Sequence, residues 1–378
     1  MIKVVELFAG IGGFRRACDN LGLKTIWVNE IEPKATAVYR HNFGDLELTE
    51  ANIKDVYKDV PNHDLLTAGF PCQPFSSAGK KKGINDIRGT LFEDIAKIIE
   101  FRKPKYFILE NVKRILSMQK GYHFAVILKC LLDLGYQLEW RLLNSAAFGL
   151  PQARERVIIT GRIVSNSPEA VLCNQEDFKN FSQSDVHNLF NQGIASGFDI
   201  LKIKDFKRWG LISENGFIQA DLDPLLGVNP KKIVKDILED KVDEKYYFTE
   251  ETKERIKVSS SVNRFVNGVE ILYNQRGGAR MGYTVFGING LAPTLTCQPS
   301  RHYERYFINS EFRRLTPIEY ARIQGFSDNH CINIKPRHQY ALFGNAVPPK
   351  LVEWGIERLI KGRVFNLEKS LKKQMDLI

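Results

Sequence analysis

Residues 69–83 read GFPCQPFSSAGKKKG, a stretch whose residue types suit a held nucleophile. Pro71 and Pro74 flank Cys72, restrict the backbone there and lower the entropy of aiming the thiol. A free thiol, with a pKa of about 8.5, is only a few per cent thiolate near neutrality. The positive field of Lys80, Lys81, Lys82 and Arg88 favours the thiolate. Glu110 ends the apolar run YFILE, where desolvation raises a carboxyl pKa and suits it to proton donation. Arg154 and Arg156, in QARER, alternate along an extended segment and can point to one face.

A second set of residues calls for a nucleoside-containing partner. ELFAGIGGFR follows a strand pattern and opens a helix pattern. Gly10, Gly12 and Gly13 allow close backbone approach, and the helix start offers unpaired N–H groups. The spacing is not GxGxxG, which argues against a dinucleotide pyrophosphate. Glu30 ends the next strand pattern, where an acid in an open α/β sheet bonds ribose hydroxyls. The net charge of +10 favours a polyanion. One chemistry uses all of these groups. A thiolate added to pyrimidine carbon 6 turns carbon 5 into a nucleophile for an electrophilic methyl. An acid at ring N3 and an arginine at O2 stabilise the developing charge. S-adenosylmethionine would be the methyl donor and S-adenosylhomocysteine the product.

The elements that position these groups alternate along the first half of the chain. IKVVELFAG, KTIWVNE, DLLTAGF, KYFILENV, YQLEWRLLNSAAFG and RERVIITGRI read as strands. GGFRRACDNLG, PKATAVYRHN (Pro33 in its first turn), TLFEDIAKIIEFRK and GYHFAVILKCLLDLG read as helices. This alternation predicts an α/β fold with a parallel sheet covered on both faces. From about Ser165 the chain turns polar and aperiodic, then Gly-punctuated and basic. IVKDILED reads there as a short helix. Domains are therefore expected at 1–164 (catalytic and cofactor-binding), 165–310 (smaller, loop-rich), 311–340 (a hinge with a helical segment) and 341–378 (a helix completing the first domain). The six cysteines include no CxxC pair and no compact Cys/His cluster, so no metal is expected. Isolated thiols suit a reducing compartment. Without an apolar run of membrane length or a signal peptide, the expectation is a cytoplasmic protein with no membrane partner.

In motif order over nearly its whole length, the chain resembles the DNA cytosine-5 methyltransferases of bacterial restriction–modification systems. The motifs are ELFAGIGGFR, WVNEIEP, GFPCQPFS, LENV, QARERV, RRLTPIEYARIQGFSD and FGNAVP. The resemblance implies a Rossmann-like S-adenosylmethionine-dependent domain with a smaller target-recognition domain, and a cytosine flipped out of the DNA. Phe8 would stack on the cofactor adenine and Glu30 would hold its ribose. Pro71 and Leu91 would line the pocket, and Asn345 would touch the methionine end. Ala9, Gly10, Gly12, Gly13, Ile31, Ile53 and Ala346 fall beside these positions. Asn52 stands where the family usually has an acid on the adenine amine. Cys72 would be the nucleophile, Glu110 would contact N3 and the exocyclic amine, and Arg154 and Arg156 would orient base and loop. The segment from Gln73 to about Gly89, with Ser76 and the basic residues named above, would close over double-stranded DNA. In the variable domain, Gln275, Arg276, Arg280 and Tyr283, with Thr294 of the TLT signature, would reach base edges or phosphates. A monomer is implied, with a separately acting restriction endonuclease as a candidate partner. The tRNA-modifying branch of the same fold and a catalytically dead nucleic-acid-binding regulator remain alternatives.

Overall fold

A computed structural model describes residues 1–71, 90–163, 170–178, 199–214, 216–274, 284–296 and 304–362. The first half builds β1 (Lys3–Leu7), α1 (Gly13–Asn20), β2 (Lys24–Glu30), α2 (Pro33–Phe43), β3 (Leu48–Glu50), α3 (Ile53–Val56), β4 (Leu65–Gly69), α4 (Leu91–Arg102), β5 (Tyr106–Val112) and α5 (Tyr122–Asp133). Then come β6 (Gln137–Asn144), β7 (Gln152–Ala153), β8 (Glu155–Arg162), β9 (Trp209–Ser213) and β10 (Gly216–Ala220). One nine-stranded sheet runs β10-β9-β6-β8-β5-β4-β1-β2-β3. Strands β1 to β5 are mutually parallel. β8 inserts antiparallel between β5 and β6, so the sheet is mixed rather than purely parallel.

Alternation along β1 divides the core into two layers. Val5 and Leu7 face α4 and α5, whereas Val4 faces α1 and the helix α9 (Pro349–Lys361). Leu351, Val352, Ile356 and Leu359 of α9 are fully or almost fully buried, each stabilising the fold by about 1.5–3 kcal/mol. Gly355 lets this helix lie on the sheet, since a Cβ there would sit 2.9 Å from the Ile108 side chain.

The second half adds α6 (Glu250–Lys257) and the strands β11 (Ser260–Val266), β12 (Val269–Asn274), β13 (Thr284–Phe286), β14 (Ala292–Pro293), β15 (Arg305–Ile308) and β16 (Glu311–Arg313). Then follow α7 (Pro317–Gln324), α8 (Pro336–Asn345) and α9. A smaller sheet runs β11-β12-β13-β15-β16, and β14 pairs with β7. α7 begins as its sequence dictates: Thr316 and Glu319 form a reciprocal capping box, and Pro317 opens the first turn.

Two further expectations are revised. Residues 209–213 and 216–220, assigned from sequence to the smaller domain at 165–310, form β9 and β10 of the large sheet. Buried polar groups fix them there. The Glu139 carboxylate accepts the Trp209 indole N–H at 2.8 Å and the backbone N–H groups of Val171 and Leu172. Arg141 binds the Leu172 carbonyl and pairs with Asp177 at 2.5 Å. IVKDILED forms only one 3-10 turn, at Val234–Ile237.

Candidate active site

The chain runs outward through β1, β2 and β3 and then returns to β4 on the other side of β1. In an open α/β sheet the crevice at the carboxyl ends of the strands beside such a reversal is where ligands bind. A cavity of about 560 Å³ lies there. Its wall includes Phe8, Ala9, Gly10 and Gly13 after β1, Glu30 at the end of β2, and Pro71 after β4. Glu110 of β5, Arg154, Arg156, Asn345 and Ala346 complete the expected residues that border it.

Phe8 holds a left-handed backbone, φ +54, uncommon for an aromatic residue and the kind of strain that clusters at functional sites. The Glu30 carboxylate accepts N–H groups from Gly10 at 2.7 Å, Ile31 at 2.8 Å and Glu32 at 2.9 Å. One oxygen takes the Ile31 and Glu32 bonds, and the other takes only Gly10. That second oxygen keeps acceptor capacity for a ligand hydroxyl. A Cβ added to Gly10 would meet nothing within 4 Å, so the loop faces open space.

Glu110 and Arg156 are buried together, with Arg156 Nε 2.9 Å from the carboxylate. Burial raises the Glu110 pKa, and Arg156 and Arg154 oppose that rise. Burial lowers the Arg156 pKa against the pull of Glu110. The acid is thus held readier to carry a proton than an exposed glutamate. Arg154 borders the same cavity as Arg156 and also holds the backbone around it. It precedes β8, turns inward, and donates to the carbonyls of Leu295, Gly344 and Ala346, each at 3.0 Å. Thr294 likewise donates its hydroxyl to the Ala153 carbonyl at 2.7 Å. The TLT segment therefore braces the arginine segment.

Five expected cofactor residues do not border the cavity. Gly12 packs under Phe43, where an added Cβ would lie 2.3 Å from the ring. Ile31 is exposed, and Ile53 belongs to the main core, against which Leu91 is packed half-buried. Asn52 is exposed and caps α3, its side-chain oxygen accepting the Lys54 N–H at 3.2 Å. Cys72, Gln73, Ser76, Lys80, Lys81, Lys82, Arg88, Gln275, Arg276, Arg280 and Tyr283 lie outside the described residues.

Sequence reasoning missed several supports. Asn111 donates to the Phe70 carbonyl at 2.9 Å and accepts the Val112 N–H at 2.9 Å, fixing the backbone that leads into Pro71. Its place beside Glu110 was the available signal. Gln324 donates to the Phe343 carbonyl. Glu6 is almost fully buried, and no side chain among the described residues donates a hydrogen bond to its carboxyl; the backbone of Arg15 in α1 faces it. Burial pushes its pKa up to about 8, against the lowering effect of Arg15. The native state then keeps a proton that the unfolded chain releases above about pH 4.3, so this group costs stability as pH rises from there to about 8. The slope reaches ~1.4 kcal/mol per pH unit. Glu6→Gln should therefore gain on the wild type between about pH 5 and about pH 8 in urea midpoints. A constant difference across that range would show that Glu6 is already ionised in the native state.

The sheet, the reversal and the strand-end cavity define the fold of an S-adenosylmethionine-dependent methyltransferase. The model of the C-5 cytosine-specific DNA methylase family matches residues 2–361, and the chain belongs to that family. It is 32% identical to the type II methyltransferase M1.ScrFI of Lactococcus lactis subsp. cremoris, over 98% of this chain and 80% of that protein. It is 30% identical to M.HhaI of Haemophilus parahaemolyticus, over 93% and 92%. Among solved structures, the S. pombe Dnmt2 methyltransferase superposes with a TM-score of 0.62 at 20% identity, covering 96% of this chain and 99% of that one. No helix among the described residues is long and apolar enough to cross a membrane.

Proposed function

We propose that this protein is the methyltransferase of a type II restriction–modification system. It transfers a methyl group to carbon 5 of a cytosine flipped out of a specific double-stranded DNA sequence. The observation that carries the reading is the buried Glu110–Arg156 pair on the wall of the strand-end cavity, beside Pro71. Family membership and the similarity to type II methyltransferases support it.

The residues present fit S-adenosylmethionine. The cavity volume is that of a nucleoside-sized ligand site, Glu30 has a carboxylate oxygen to spare, and Phe8 and the open face of Gly10 line the approach. When bound, S-adenosylmethionine supplies an electrophilic methyl group. Cys72, one residue beyond Pro71, adds as thiolate to cytosine carbon 6, forming a C–S bond and making carbon 5 nucleophilic. Glu110 donates a proton to ring N3 as charge develops, and Arg156 holds O2. Carbon 5 takes up the methyl group and then loses its proton to a water molecule. That electron pair re-forms the 5,6 double bond and expels the Cys72 thiolate, while N3 returns its proton to Glu110. Residues of the smaller domain read the DNA sequence.

The test is to methylate a plasmid with the purified protein and S-adenosylmethionine, then sequence it after bisulfite treatment. Protected cytosines in one fixed context are expected. If none is protected by protein that binds the cofactor, the DNA reading fails and tRNA is the next substrate to try. Cys72→Ser should keep DNA binding and lose at least ~1,000-fold in methyl transfer, because the hydroxyl is a far weaker nucleophile at neutral pH. Turnover near wild type in that variant would exclude the covalent route.

A further inference from the structure

His330 has no part in the chemistry above. Its side chain is fully buried in the turn between α7 and α8. Nε2 lies 2.8 Å from the Ile11 carbonyl oxygen. A carbonyl only accepts, so Nε2 carries the proton. Nδ1 is buried with no hydrogen-bond partner among the described residues. The ring is therefore neutral, and burial holds its pKa down to about 4.

Ile11 stands between Gly10 (φ +56) and Gly12 (φ +84), both left-handed, and borders the cavity. Within this loop the Gly12 N–H binds the Ala9 carbonyl at 2.9 Å. Glycines on both sides hold left-handed backbone at little cost, so the orientation of the Ile11–Gly12 peptide is set by two bonds, the Gly12 N–H to Ala9 within the loop and the His330 Nε2–H to the Ile11 carbonyl from outside. The imidazole is itself held in place. Its ring centre lies 4.5 Å from that of Phe326 and meets Phe43 edge-on at 6.1 Å. Phe43 is the ring that fills the space beside Gly12. Asn42 donates to the carbonyls of both His330 and Val38 at 2.8 Å, tying the turn to α2.

We infer that His330 is a positioning residue for cofactor binding: its Nε2–H fixes the Ile11 peptide, and with it the glycine loop, in the conformation that receives the cofactor. The inference rests on the cofactor reading of the cavity given above. It makes cofactor affinity depend on the docking of a turn more than 300 residues downstream of the loop.

Two amide substitutions separate donation from packing. A Gln side chain places its nitrogen about where the imidazole Nε2 lies, whereas an Asn side chain places it near the Nδ1 position, short of the Ile11 carbonyl. Both remove the ring, so both lower the melting temperature. Affinity for S-adenosylhomocysteine is read by calorimetry on the full-length protein. His330→Gln should bind within about threefold of wild type and His330→Asn about tenfold or more weaker, the scale of one buried hydrogen bond. Equal affinities in the two variants, whether strong or weak, overturn the inference. If His330→Asn fails to fold, His330→Gln decides alone, and a folded His330→Gln more than about tenfold weaker than wild type overturns it. Wild-type protein that binds no S-adenosylhomocysteine would instead overturn the cofactor reading, before either variant is compared.

Discussion

Glu110→Gln should lower kcat for cytosine methylation by about 100- to 10,000-fold, the range for removing a general acid, while cofactor affinity stays within about twofold. The amide oxygen can still accept from Arg156 Nε, so the contact at 2.9 Å survives. The ability to carry a proton and the negative charge facing Arg156 are lost. Stability should therefore fall, because the buried guanidinium loses its charged partner. Single-turnover methylation, equilibrium cofactor binding and a thermal melt on one preparation separate these effects. A Gln variant with undiminished single-turnover rate would remove Glu110 from the proton transfer. A variant that lost cofactor binding as well would place its role in building the cavity.

Gly13→Ala should abolish measurable cofactor binding, with a loss of at least about 100-fold, and lower stability by about 1–3 kcal/mol. An added Cβ would sit 2.3 Å from the Val347 carbonyl oxygen, so α1 and the segment after α8 must separate by roughly an ångström to regain normal contact. The obstacle is backbone, which cannot rotate away as a side-chain tip can. The displaced parts are the two that border the cavity from opposite ends of the chain, the glycine loop and Asn345–Ala346. Titration with S-adenosylhomocysteine and a urea melt measure the two consequences. Wild-type affinity in a folded variant would mean that the loop does not set the site.

The strand ends were legible in the sequence because their signals are local. An apolar run closing on Glu30 or Glu110, followed by glycine, proline or a capping residue, marks the rim of a parallel sheet whatever the rest of the chain does. The motif resemblance then gathered those ends into one expected site, and the family match bears out the resemblance itself. What sequence missed depends on partners far along the chain. QARER reads as two arginines on one face, but Arg154 falls between two strands and reaches carbonyls up to 192 residues away. The strands at 209–213 and 216–220 alternate as they would in either sheet, and their place is decided by the free edge of β6 and by Glu139 beneath Trp209. His330 and Asn111 act on backbone carbonyls, which carry no residue signature.

The return of α9 to the first helix has a consequence for how the protein is made. Phe14, Ala17 and Cys18 share a core with Leu351, Val352 and Ile356, and the Val347 carbonyl packs on Gly13. On a ribosome adding about 5–20 residues per second, roughly 20–70 s pass between the emergence of these two partners. During that interval the face of the leading strands that carries Val4 has α1 but not α9 to cover it, and the cavity wall lacks Asn345 and Ala346. A chain that stops short of Asn345 therefore leaves the strand-end cavity without part of its wall.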